Sequence, residues 1–314
     1  MRKLKVGTRG SRLALAQTEI ALAALRISEP NTDFEVVRIS TRGDIDKRPL
    51  FTIDEKGIFE KEVNDAVKSG LVDFAVHSMK DIPSDLTSEL IVASVPKRGK
   101  PNDVLVADRG RKLEEIDPDG VVGTSSLRRA IQLQRIRPDL KVRPIRGNVE
   151  TRVKKVISRE FAAVILAEAG LRRMGMQDVI TERFSTRCFM PAPGQGAIGI
   201  VCRAEDRKTA AMIKKTEDPV SRAEIMAERA LIQNVEGGCR FPLGALALAS
   251  GNKIILSASV FSADGAKNIK ARERGSIREP HKLGQSAAQA LIELGAMEFA
   301  KGWREAVRDW NKNI

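Results

Sequence analysis

The chain has no tyrosine, two tryptophans and ten phenylalanines among its 314 residues. Single-stranded nucleic acids are held by aromatic stacking as well as by charge, so so little stacking surface argues against that role and no nucleic-acid partner is expected. Cysteine is also scarce. Cys188, Cys202 and Cys239 form no CxxC pair, and any disulfide scheme leaves one over. Only two histidines are present, His77 and His281, far apart in sequence, so no Cys/His metal site is expected. Long apolar runs are missing too. The longest, residues 161–167, has the length of a buried strand and falls far short of the roughly 18 residues of a membrane span. The first residues enter a strand-like pattern at once, with no apolar signal region behind their charges. The expectation is a soluble, cytoplasmic chain with no membrane partner.

Positive charge, in contrast, is plentiful. Lys and Arg number 54 against 41 Asp and Glu, a formal charge of +13, which points to an acidic partner. A hydrophobic content of 42% beside 30% charged residues is that of a globular protein, and the length suits two or three domains that each bury a core.

Over the first two-thirds, β-type runs alternate with helical patterns, which predicts α/β structure with largely parallel sheets. Strands are expected at 4–8, 34–40, 74–77, 121–123, 142–145 and 162–167, and helices at 11–27, 59–69, 127–137 and 149–158. Two polar segments bounded by Pro and Gly, 95–101 and 190–196, suggest that the chain leaves a first domain, builds a second and returns, with a cleft between them. Past residue 221 the pattern changes to a helix at 223–235, hairpin strands turning at Gly251-Asn252, and a helical stretch at 283–310. The expected domains are 1–96 plus about 197–216, then 102–190, then an α+β domain at 220–314. No internal repeat at a fixed period is visible.

One local arrangement occurs three times. Strands run into Arg9-Gly10-Ser11, into Thr124-Ser125-Ser126 and into Arg146-Gly147-Asn148, each followed by a helix. Free N–H groups and the helix dipole make such turns anion sites, and α/β folds bind ligands at the carboxyl ends of parallel strands. Ser11, Ser126 and Asn148 also fit ordinary N-caps. Residues 121–160 hold eleven Lys and Arg against three acids, a net of +8, and arginine's planar fork suits carboxylates. The bland alternative, a solvated basic face, suits Arg135, Arg137, Lys154 and Lys155. Residues 194–199, with Gln195 inside, spell GxGxxG, but no strand precedes them and no helix follows, so a dinucleotide site is rejected. Asp81 follows a buried strand in a polar turn before Ile82-Pro83; it suits a carboxylate facing a cleft and an Asx-turn residue equally. His77 is read as structural, and Cys188 and Cys202 as buried and inert. Cys239 stands between Gly238 and Arg240, held in a glycine-flanked loop with a cation beside its thiol, which makes it the one plausible covalent attachment point.

Eight ordered blocks across essentially the whole chain give a resemblance: GTRGSRLALAQ at 7–17, STRGD at 40–44, KGIFEKE at 56–62, VHSMKDIP at 76–83, GTSSLRR at 123–129, RGNVETR at 146–152, PAPGQGA at 191–197 and ERALIQNVEGGCRFPLG at 228–244. The chain resembles the porphobilinogen deaminase (hydroxymethylbilane synthase) family. The resemblance implies two α/β domains of the type II periplasmic-binding-protein kind with a cleft between them, plus a smaller C-terminal α+β domain. It implies a monomeric transferase of haem and tetrapyrrole biosynthesis that joins four molecules of porphobilinogen head to tail, losing ammonia each time, and releases linear hydroxymethylbilane. The cofactor it implies is a dipyrromethane bound by a thioether to Cys239, with Asp81 as the catalytic aspartate. Lys80, Ser78, Arg128, Arg129, Thr124, Ser126, Arg146, Asn148, Phe59 and Lys56 fall at cofactor-binding positions, and Arg9, Ser11, Arg146, Arg152 and Gln195 at substrate-binding ones. This sequence departs from the family at Phe241, where a β-branched residue is usual before the proline, and at Asp54-Glu55, where many members have glycines. A non-catalytic carboxylate-binding protein with the same cleft explains the turns and the charge, but gives no reason for the GGC loop.

Overall fold

The computed structural model describes residues 2–45, 59–235, 242–299 and 302–303. The chain begins with β1 (Arg2–Arg9), α1 (Arg12–Ser28), β2 (Thr32–Ile39), the single turn α2 (Arg42–Ile45), α3 (Lys61–Lys68), β3 (Phe74–Ser78) and β4 (Leu90–Ser94). Next come β5 (Asp103–Ala107), β6 (Val121–Gly123), α4 (Leu127–Ile136), β7 (Lys141–Arg143), α5 (Val149–Ile157), β8 (Ala163–Ala167), α6 (Glu168–Arg173) and β9 (Glu182–Arg183). The last part holds β10 (Ile198–Arg203), α7 (Arg207–Lys214), α8 (Pro219–Val235), β11 (Leu243–Ser250), β12 (Lys253–Phe261), β13 (Asn268–Ser276) and α9 (Pro280–Glu293).

These elements form two compact units. Of the described residues, one takes those up to Gly99 and Gly194–Ala223; the other takes Lys100–Pro193 and those from Glu224 onward. Each contains a five-stranded sheet, ordered β2-β1-β3-β10-β4 in the first and β7-β6-β8-β5-β9 in the second. The class is α/β, as expected, but the sheets are mixed rather than largely parallel. In the first, β1 runs parallel to β2 and β3, while β10 runs antiparallel to β3 and β4. In the second, β6 runs parallel to β7 and β8, while β5 runs antiparallel to β8 and β9. The two sheets therefore share one plan, and the reversed strand in each is the first strand after a crossing. A strand buried on both faces reads as an apolar run whichever way it points, so local pattern does not record this reversal. The two crossings are bonded to each other in the first unit, where Gly99 N–H donates to Gly196 O at 3.0 Å and Arg98 Nε to Gln195 O at 3.0 Å.

Period-two alternation builds the cores. In the second unit Leu105 and Ala107 of β5 face Leu133 of α4, while Val104 and Val106 face Val153 and Val156 of α5. In the first, Leu4, Val6, Phe74, Val76, Ile198 and Ile200 pack on Leu22 and Leu25 of α1. The third sheet, β11-β12-β13, is antiparallel, and its first hairpin turns at Gly251, as expected. The backbone of β11 is tied to α8, whose Glu228 and Glu224 accept from Ala247 N–H at 2.8 Å and Ala249 N–H at 2.9 Å.

Candidate active site

In the first unit the register Gly7↔Ala75 sets the carboxyl ends of β1 and β3 side by side. Arg9 closes β1, and Ser11 caps α1 by accepting from Ala14 N–H at 3.3 Å. Beyond β3 the chain tightens into a 3₁₀ turn, Met79–Asp81, that leaves Asp81 half-buried and Lys80 exposed. Ser78 is fixed by the buried Gln17, whose Nε2 donates to its hydroxyl at 2.8 Å. The same turn is anchored from the PAPGQGA block: Met79 N–H donates to Ala197 O at 3.0 Å. Gly194 has φ +75°, and a Cβ there would stand 3.0 Å from Lys80 N, so glycine is required for this approach. Gln195 beside it is buried.

The Arg9 guanidinium pairs with Asp44 and lies 4.3 Å from the centre of the Phe59 ring. His77 is buried, and its Nε2 has no partner among the described residues. Burial, with Arg9 adding to it, pushes His77 down to about 4, so it is neutral near pH 7. Glu60, the residue before α3, is 3% exposed. Burial first and the Asp81 charge second push its carboxyl up to about 7.

In the second unit the adjacent carboxyl ends of β7, β6 and β8 carry the other two turns. Thr124 is buried, its N–H donating to Arg143 O at 3.0 Å and its hydroxyl accepting from Ser126 N–H at 3.2 Å. Ser126 caps α4 through Arg129 N–H, and Asn148 caps α5 by accepting from Thr151 N–H at 2.9 Å. Arg128 and Arg129, expected to bind a ligand's carboxylates, hold an internal one. Both are buried against Asp103, with Arg128 Nη1 at 2.8 Å and Arg129 Nη2 at 2.7 Å from its oxygens. Arg128 also donates to Met190 O, and Arg129 to Ile165 O at 3.1 Å. Burial alone would raise the Asp103 carboxyl; the two guanidiniums outweigh it and hold it at about 2. Arg146 and Arg152 are half-buried, and Arg152 Nε donates to Gly147 O at 2.9 Å. Burial, then Arg129 and Arg146, lower Arg152 to about 10. Cations pressed together in this way favour a multiply charged anion, and the carboxylates of a dipyrromethane fit that donor set.

Sequence reasoning missed Asp103 and Glu60. The signal for Asp103 was a lone acid heading the apolar run Val104-Leu105-Val106-Ala107; Glu60 stood inside a quoted block, next to Phe59. Cys202 is buried, and burial raises its thiol to about 11. Cys188 is a correction: it was expected to be buried and is exposed, because the segment before β10 turns it away from Phe189, which fills the core instead. Lys56 and Cys239 lie outside the described residues, as do Asp54, Glu55 and Phe241. Among the described residues, no helix is long and apolar enough to cross a membrane.

Comparison with known proteins gives consistent results. Residues 4–211 match the family model "Porphobilinogen deaminase, dipyromethane cofactor binding domain", and residues 222–293 match "Porphobilinogen deaminase, C-terminal domain". A probable porphobilinogen deaminase of Nitrosopumilus maritimus (strain SCM1) is 51% identical over 310 residues, 99% of each chain. The porphobilinogen deaminase of Roseiflexus castenholzii is 43% identical over 300 residues, 95% of this chain and 99% of its own. Among solved structures, a Bordetella pertussis BvgS periplasmic domain shares 18% identity at a TM-score of 0.38, over 68% of this chain and 39% of that one. A Salmonella typhimurium periplasmic binding protein with high arginine specificity shares 13% at a TM-score of 0.40, over 71% of this chain and 94% of its own. By its family models and its relatives, this chain belongs to the porphobilinogen deaminase family, transferases of tetrapyrrole synthesis with a dipyrromethane cofactor.

Proposed function

We propose that the chain is a hydroxymethylbilane synthase that condenses four porphobilinogen molecules head to tail, with loss of ammonia, on a dipyrromethane joined by a thioether to Cys239, and then releases linear hydroxymethylbilane by hydrolysis, water supplying its hydroxyl. When bound, the dipyrromethane supplies the pyrrole carbon at which the product chain starts. Cys239 is a tether that survives each cycle, not a nucleophile of turnover.

The work of the side chains follows from their chemistry. Loss of ammonia from porphobilinogen leaves a cation. A carboxylate such as Asp81 at about 4 Å from it contributes roughly 4 kcal/mol at an effective dielectric of 20. A hydrogen bond that a pyrrole N–H donates to the Asp81 carboxylate adds only about 1.5–3 kcal/mol. Charge stabilisation is therefore the larger role of Asp81, and proton transfer to and from the pyrroles the smaller. Arg9, Arg146 and Arg152 receive acetate and propionate groups, with Lys80 and Gln195 assisting. Ser11 and Ser126 use a lone pair as N-caps and keep their O–H protons for donation; Asn148 likewise keeps its NH₂. Arg129 fixes Ser126 through its backbone N–H, and Arg128 and Arg129, paired with Asp103, act on a ligand with whatever donors Asp103 leaves. Phe59, stacked on Arg9, offers its other face to a pyrrole ring.

The observation that carries this reading is that the matched residues of each unit gather at the carboxyl ends of its parallel strands: Arg9 and Ser78 to Asp81 in one, Thr124 to Ser126 and Arg146 to Asn148 in the other. Porphobilinogen turnover by the purified protein tests it. Asp81→Ala is expected to reduce kcat by roughly 10³, the factor that about 4 kcal/mol amounts to, with the fold intact. Turnover close to that of the unmodified protein would remove Asp81 from its role.

A further inference from the structure

Glu60 has no role in the account above, yet its placement is unusual. It occupies the N-cap position of α3, its carbonyl accepting from Asn64 N–H at 2.8 Å, and its side chain points inward rather than capping the helix. At 3% exposure, its Oε1 has no hydrogen-bond partner among the described residues. Backbone hydrogen bonds from Glu60 and Phe59 favour the ionised carboxyl, but burial outweighs them and the group holds its proton tightly. The group whose charge acts on it most strongly is Asp81.

We propose that Glu60 is a positioning residue for Asp81: a buried carboxyl whose gain or loss of one proton sets the negative charge presented at the Asp81 turn. This rests on the reading of Asp81 given above. α3 packs on β1, β3 and β10, and the groups these elements bring are known. α3 itself contributes Glu62, which also disfavours ionisation of Glu60, and a Lys68–Asp65 pair at 3.0 Å. β1 ends in Arg9, engaged with Asp44 and Phe59. β3 contributes the neutral His77 and leads to Lys80 and Asp81. β10 contributes the un-ionised Cys202 and Arg203, whose guanidinium donates to Val67 O and Val72 O and faces Asp206 at 3.2 Å. Burial, then Asp81, then Glu62 disfavour ionisation of this carboxyl.

The consequence has a sign. With Glu60 protonated, Asp81 faces the substrate-derived cation alone. When Glu60 gives its proton to water, its negative charge adds to that of Asp81, and the cation is stabilised further. Turnover therefore rises as pH passes through the ionisation of Glu60, by roughly tenfold if the coupling amounts to one pKa unit.

Two measurements on the holoenzyme test this. The first follows ¹³C-labelled glutamate carboxyls by NMR against pH without substrate. One signal is expected to titrate near pH 7, to vanish in Glu60→Gln, and to titrate at lower pH in Asp81→Asn, where the repelling charge is gone. The second is the pH profile of kcat. A rise through neutrality is expected in the unmodified protein, a flat profile in Glu60→Gln, and a restored rise in Glu60→Asp. Absence of a near-neutral carboxyl, or a Glu60→Gln profile that follows the unmodified one, overturns the proposal. If Glu60→Gln does not fold, the Asp81→Asn titration decides, and an unmoved signal overturns it. Full activity in Asp81→Ala would instead overturn the role of Asp81, a separate outcome.

Discussion

Two buried groups respond to pH in opposite directions. Glu60 binds its proton more tightly in the folded state, about 7 against an ordinary 4.5, so the stability it contributes is complete below pH 4.5 and is lost as pH rises through 7. His77 is the reverse, about 4 against an ordinary 6.5; its contribution is present above pH 6.5 and is lost as pH falls through 4. Each shift amounts to at most about 3 kcal/mol, and in the shared window the two oppose each other. Urea unfolding against pH should therefore show stability rising with pH between about 4.5 and 6.5 in Glu60→Gln and falling there in His77→Gln; matching slopes in the two variants would contradict the account. Asp103 acts alone. Its carboxylate pairs with two buried guanidiniums and offsets one of their two charges, and Asp103→Asn leaves both uncompensated at a cost of roughly 3–5 kcal/mol by urea unfolding. A loss below about 1 kcal/mol would show that Arg128 and Arg129 are satisfied without it.

At the scale of elements, the turns that bear the site depend on backbone approach as much as on side chains. Gly194 and Gly251 both have positive φ, +75° and +57°. A Cβ at Gly194 meets backbone, Lys80 N at 3.0 Å and Met79 C at 3.1 Å, whereas at Gly251 nothing lies within 4 Å. Both Ala substitutions cost about 1–2 kcal/mol in φ strain. Only Gly194→Ala should also displace the Lys80–Asp81 turn and lower kcat; equal kcat in the two variants would contradict this. Most of these elements were legible in the sequence because their periodicity is local. Residues 121–123 form β6 as expected, and Ser126 and Asn148 cap the helices that follow them. Neither β4, β5, α6 nor α7 was anticipated, and the reversed direction of β5 and β10 was not either. Direction is set by where a crossing returns the chain, and no window of ten residues contains that information. Asp103 was missed for the same reason: its burial follows from β5 lying between β8 and β9. Glu60 was missed because an acid in the first turn of the helix expected at 59–69 looks like an exposed group favoured by the helix dipole.

For the whole molecule, the family was legible because eight blocks occur in order along the chain, and the matched regions, 4–211 and 222–293, span nearly all of it. The common plan of the two five-stranded sheets was not legible, since it needs apolar residues at corresponding positions rather than the same residues, and so leaves no fixed period. The excess of basic residues fits a ligand rich in carboxylates, concentrated as it is in residues 121–160 beside the α4 and α5 turns. The central claim, that this chain builds its product on a dipyrromethane tethered at Cys239, is tested most directly by the intact mass of the denatured protein after incubation with porphobilinogen, followed by peptide mapping. The account predicts an added mass equal to one dipyrromethane, confined to the peptide that contains Cys239 and absent from Cys239→Ser. Turnover of porphobilinogen by a chain of unmodified mass, or by one modified at another residue, would contradict it.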